Sequence, residues 1–257
     1  MLVIDTLEGD QDSLTEGLKA AKRTIIAGKD LAEAASKTTL ELLANQLKAG
    51  TAFTLSRPYG TADSSAPKDK VSAKAGFQAS STLDVCSHVP LVLFPIAEET
   101  PFLEALTRFL EDNVQVVLKG ESDALKTLAK QYPDRLFQVS PDTPLESLLL
   151  PVDGCVVGRD PQLTAMALSK GAVPIAGPGA SGELIDLEPS LESGSGFVIP
   201  ELTETALVEG LSRFQAAFLK GPAFLALTKR LPNFVPSWSK TAQHYLQLIE
   251  ELQPNEK

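Results

Sequence analysis

The residues best suited to hold an anion lie in one run, GPGASGELID, where Gly177, Gly179, Ser181 and Gly182 leave room for backbone N–H groups to approach a phosphate at a helix start. Lys119 ends another apolar run, VQVVLKG, and would bring an ammonium to the C-terminal edge of a parallel sheet. The same glycine-rich run also reads as a plain tight turn after a strand, and both readings stay open here. Asp160 directly precedes Pro161, the pattern of a helix cap followed by a first-turn proline. Thr164 and Lys170 then fall on the helix surface.

Metal and thiol chemistry have little to work with. The chain has two cysteines, Cys86 and Cys155, far apart, and Cys155 inside the apolar run GCVVG reads as a buried strand thiol. With only His88 and His244 besides, neither a disulfide framework nor a zinc site of the usual nitrogen and sulfur type is expected. We expect no metal and no cofactor.

The elements that would position these groups follow a regular order. VPLVLFP, VQVVLKG, LFQVS, GCVVG and AVPIAG are short β-rich runs, separated by the helical segments TPFLEALTRFLED, SDALKTLAKQY, TPLESLLL and PQLTAMALSK. This βαβα alternation predicts an α/β fold with a Rossmann-like parallel sheet covered by helices on both faces. After GFVIP the helices TETALVEGLSRFQAAFLKG, PAFLALTKRL and SWSKTAQHYLQLIEEL follow. Upstream, DSLTEGLKAAKR reads as a helix capped by Asp12 or Ser13, TIIAG as a short strand, and KDLAEAASKTTLELLANQLKAG as one long helix or two. Residues 56–87, rich in Ser, Ala, Gly, Pro and Lys, read as a linker and domain boundary.

The composition bounds the function. A 257-residue chain with 43% hydrophobic residues has ample material for a core. A net charge of -10 with scattered basic residues argues against a nucleic-acid surface. No apolar run reaches the ~20 residues of a membrane span, and the start MLVIDTLEGDQD is acidic, so a soluble, cytoplasmic protein with no membrane partner is expected.

Several segments carry a family resemblance. VQVVLKGESDALKTLAKQYPDRLFQV, ALSKGAVPIAGPGASGELIDL, SGSGFVIPELTETALVEGLSRF and SWSKTAQHYLQLIEEL resemble, in order and spacing, the C-terminal domain of glycogen and starch synthases, which are GT-B glycosyltransferases. DSLTEGLKAAKRTIIAGKDLAEA resembles the last strand and helix of that family's N-terminal domain, and VSAKAGFQ its segment before the second domain. The resemblance implies an N-terminal α/β remnant over 1–55, a linker over 56–87 and a GT-B C-terminal Rossmann-like domain over 88–257 with a terminal crossover helix. It also implies retaining transfer of glucose from ADP-glucose to an α-1,4-glucan, and makes Gly177, Gly179, Ser181, Gly182 and Lys119 the candidate nucleotide-sugar contacts.

The same comparison implies missing chemistry. Where the family carries an Arg and a Lys to hold the leaving diphosphate, this chain has FPIAEETP, with Glu98 and Glu99 and no Lys or Arg between His88 and Arg108. Arg108 itself falls mid-helix. The family's donor-sugar Glu, counted back from Gly171 without a gap, falls on Gly158, and Asp160 could replace it only with a shift. The leading expectation is therefore a non-catalytic, glycogen-synthase-like pseudoenzyme in α-glucan metabolism, binding ADP-sugar or α-glucan, with no catalytic residue assigned. One alternative is a glucosyltransferase component active only with another chain; another is an interaction module without a ligand. In the terminal helix, Ala242, Tyr245, Leu248, Ile249 and Leu252 recur at helical spacing, so a homodimer or partner chain is expected there, with Tyr245 and Ile249 at the contact. Trp238 is expected to anchor that helix by packing.

Overall fold

The computed structural model describes residues 2–4, 24–27, 52–55, 69–95, 100–180 and 184–235, together with 242, 243, 246 and 247. The chain divides into two compact units, one of Met1–Ala62 with Pro236–Lys257, the other Asp63–Val235. In the first unit β1 (Leu2–Ile4), β2 (Thr24–Ala27) and β3 (Ala52–Leu55) form a parallel sheet in that order. TIIAG is thus a strand, as its β-branched run predicts. The helices expected around it, Trp238, Tyr245 and Ile249 lie outside the described residues. Ala242, Gln243, Leu246 and Gln247 are helical and exposed.

The second unit opens with α1 (Lys70–Ser80), whose N-cap Asp69 accepts the Ser72 N–H at 3.1 Å. This corrects the linker reading of 56–87, because α1 is an eleven-residue helix of the domain itself. Its buried side chains are Lys70, Lys74 and Gln78. A helix that buries a polar stripe gives no apolar periodicity to detect.

Six strands, β4 (Leu91–Phe94), β5 (Gln115–Lys119), β6 (Leu136–Val139), β7 (Gly154–Gly158), β8 (Val173–Ala176) and β9 (Phe197–Val198), pair in the order β6-β5-β4-β7-β8-β9, all parallel. The five apolar runs named above are five of these strands. Between them stand α2 (Thr100–Glu111), α3 (Asp123–Gln131), α4 (Leu145–Leu149) and α5 (Pro161–Ser169). After β9 come α6 (Glu204–Phe218), α7 (Pro222–Arg230) and a 3₁₀ turn, Leu231–Phe234. The caps are local in sequence: Ser122, Asp160 and Thr203 each accept a first-turn N–H, while Pro161 and Pro222 occupy first-turn positions where no donor is needed.

Strand alternation sorts the core into two layers. Val92, Phe94, Val116, Leu118, Val156 and Ile175 face a cluster completed by Phe102, Leu106, Leu125, Leu211 and Phe214 from α2, α3 and α6. Leu91, Leu93, Val117, Cys155 and Val157 face the other, completed by Leu148, Leu149, Leu163 and Ala167 from α4 and α5. Cys155 is a buried strand thiol, and burial pushes its titration well above the ordinary thiol range. No helix among the described residues is long and apolar enough to cross a membrane.

Candidate functional site

The order in which strands are added to the sheet reverses between β4 and β7, the central parallel pair, and the crevice outside their C-terminal ends is where α/β folds of this kind place ligands. Three described segments meet that edge: Phe94–Pro95 at the end of β4, the β7–α5 turn Gly158–Asp160, and the β8 turn Gly177–Ala180. Glu98 and Glu99 lie outside the described residues.

The β7 end is shaped by Gly158. Its φ is +60°, a left-handed conformation that side chains resist, and a Cβ built there would stand 3.2 Å from Cζ of Phe102. Phe102, buried on α2, therefore occupies the space that a side chain at 158 would enter. The Gly158 carbonyl accepts the Gly177 N–H at 2.8 Å, which ties the β7 end to the β8 turn.

Asp160 is a helix cap. Its Oδ1 accepts the N–H groups of Gln162 at 2.8 Å and Leu163 at 3.0 Å, which satisfies donors that α5 would otherwise leave orphaned. Thr164 corrects the surface reading: it is fully buried, and its hydroxyl donates to the Asp160 carbonyl at 3.0 Å. Lys170 ends α5 and pairs with Glu146 at 2.9 Å. Arg108 stands on the open face of α2 and pairs with Glu204 at 2.6 Å.

The glycine turn is partly structural. A Cβ at Gly177 would stand 2.6 Å from Cδ2 of Leu202, so this position is glycine for packing, whereas Gly179 is exposed with φ +92°. Ser181 and Gly182 lie outside the described residues. No described residue between β8 and β9 is helical, so the helix start expected behind the turn is not found among them. Lys119 reaches the expected sheet edge, but its ammonium donates to the Pro141 carbonyl. Hydrophobic pattern alone does not single out Arg159. It is exposed at the β7 end, with its Cβ 3.9 Å from where a Cβ on Gly179 would lie, and its place directly after an apolar run was the available signal. Among the described turn residues the Gly177 N–H is held by the Gly158 carbonyl, the Ala180 N–H by the Gly177 carbonyl, and Pro178 has none, so only the Gly179 N–H and the exposed Arg159 side chain are left to meet an anion at this edge.

No protein-family model matches the chain. It is 32% identical over 174 residues to a glycogen synthase 2 from Nitrosococcus oceani, covering 58% of this chain and 34% of that one. It is 24% identical over 192 residues to a glycogen synthase from Chlorobaculum parvum, covering 62% and 38%. The chain thus spans little more than a third of the length of these curated relatives. Among solved structures, a glycosyltransferase from Rickettsia africae superposes with a TM-score of 0.69 at 12% identity, covering 99% of this chain and 70% of that one. Strand order and these similarities together give the chain the α/β fold of GT-B glycosyltransferases and a sequence likeness to part of glycogen synthases.

Proposed function

We propose that the chain is a non-catalytic pseudo-glycosyltransferase that acts in α-glucan metabolism by binding. One observation carries the reading. The family resemblance puts the donor-sugar Glu at Gly158, and here that position has no side chain, a left-handed backbone and the Phe102 ring 3.2 Å from where a Cβ would be. A carboxylate there would need both the backbone and a buried aromatic ring to move. Asp160 does not replace it, because its carboxylate is engaged in capping α5. Of the two ligands the resemblance implies, the neutral α-glucan rather than the donor is the one whose recognition does not require the missing Glu.

Calorimetric titration with ADP, ADP-glucose and a maltooligosaccharide, followed by a glucose-transfer assay, tests this. Saturable maltooligosaccharide binding without transfer is the expected result. Glucose transfer by the purified chain, or no binding of maltooligosaccharide at all, overturns it.

A further inference from the structure

A cavity of about 500 Å³ opens at the opposite edge of the sheet from Gly158, where β4 and β7 begin. That volume lies within the ~300–1,000 Å³ range of small-molecule sites. It is bounded by α1, the loop before β4, the end of α6 and the start of α7. Six large apolar side chains are well exposed among the described residues, and four of them, Val71, Val85, Leu219 and Leu225, line this cavity. Exposed apolar groups gathered around one concavity mark a binding surface better than the same groups scattered.

The cavity also holds charge. Lys70, Lys74 and Asp153 all line it and are all buried, at 8%, 6% and 8% exposure. Lys74 Nζ is 2.6 Å from Asp153 Oδ2 and donates to the Val89 carbonyl, so that pair is neutral overall. Lys70 Nζ donates only to carbonyls, those of Leu149, Leu150 and Lys170 at 3.1–3.4 Å. Two ammonium groups therefore face one carboxylate, and the remaining titratable group on the lining is His88, which is exposed. Burial of a cation beside neutral acceptors is costly unless a counter-charge arrives. Burial accordingly draws Lys70 down to about 8.

From this arrangement we infer a second binding site, at the N-terminal edge of the sheet, for a small amphipathic anion: an apolar chain held among Val71, Leu219 and Leu225, with a single carboxylate directed to the Lys70 side of the floor. The inference is independent of glycosyl binding, which concerns the other edge. It assigns no chemistry to the ligand beyond one negative charge and an apolar body.

Calorimetry on the full chain with octanoate, octan-1-ol and octylammonium tests it. Octanoate should bind once per chain and about tenfold or more tightly than octan-1-ol, because its carboxylate supplies the counter-charge that the Lys70 ammonium, with its three N–H groups on neutral carbonyls, lacks. Octylammonium should not bind. Leu225→Trp, on the exposed rim of α7, should weaken octanoate about tenfold or more by filling the cavity, with unchanged thermal unfolding. Lys70→Met should bring octanoate to parity with the alcohol. Absence of saturable octanoate binding, equal affinity for the alcohol in the unaltered chain, or octanoate binding untouched by Leu225→Trp overturns the inference even if Lys70→Met does not fold.

Discussion

Lys74 Nζ lies 2.6 Å from Asp153 Oδ2, and this buried pair fastens α1 to the start of β7. Asp153 also accepts the Leu91 N–H at 2.9 Å, so one carboxylate joins the helix to both central strands. Lys74→Met should destabilise the chain by about 3–5 kcal/mol, since it leaves a buried carboxylate with one neutral donor. The double variant Lys74→Met with Asp153→Asn should lose less than the sum of the single losses. Equilibrium denaturation of the four species measures the coupling, and simple additivity would show that the pair does not act as a unit.

Lys70 makes stability depend on pH. Its amine is drawn down to about 8 from an ordinary 10.5, desolvation being the main cause, with the nearby Asp153 opposing it. Between those values the unfolded chain binds more protons than the folded one, so stability rises with pH, by at most about 1.4 kcal/mol per unit. Below about 8 the penalty is complete. The stability of the unaltered chain relative to Lys70→Met should therefore increase from pH 8 to 10.5 and stay level from pH 6 to 7. A difference that does not change with pH in denaturant titrations would contradict the burial of a charged amine.

Gly158→Ala tests the site that carries the functional reading. A left-handed alanine costs about 1–2 kcal/mol, and the Phe102 ring at 3.2 Å adds crowding. Phe102→Leu in the same chain should relieve the crowding and leave the backbone cost. Full stability of Gly158→Ala by thermal unfolding would mean that the turn does not hold its left-handed conformation.

Much of the second unit is legible in the sequence, and α1 shows where legibility stops. β4, β5, β7 and β8 are short apolar runs because both faces of a parallel strand are covered, and that pattern survives without any knowledge of neighbours. In α1 the positions at helical spacing that face inward are Lys70, Lys74 and Gln78, each satisfied by groups distant in sequence. Hydrophobic pattern has no access to such partners. Thr164 eluded the reading for the same reason, since its hydroxyl is satisfied by backbone carbonyls. In the candidate site, Asp160 was readable from Asp-Pro alone, whereas the Phe102–Gly158 packing joins residues 56 positions apart and is visible only once the strands are assembled.

Gly154→Ala should be among the more damaging single-methyl changes in the domain. A Cβ at Gly154 would stand 2.6 Å from the Phe214 ring, which is fully buried and packs edge-on against Phe197 and Phe224. An overpacked core costs about 1–3 kcal/mol, and Phe214→Leu in the Gly154→Ala background should recover part of it. If the double variant is less stable than either single one, the two residues do not compete for the same space.

The tie between α1 and β7 also sets an order in time. Lys74 and Asp153 are 79 residues apart along the chain. At a synthesis rate of about 5–20 residues per second, Lys74 is made about 4–16 s before its carboxylate partner. For most of that interval Lys74 has the Val89 carbonyl but no counter-charge, and Lys70 has none of its three carbonyl acceptors, at Leu149, Leu150 and Lys170. The bonds that fasten α1 to β7 and to the end of α5 thus form only after those elements have been made, late in the synthesis of the domain.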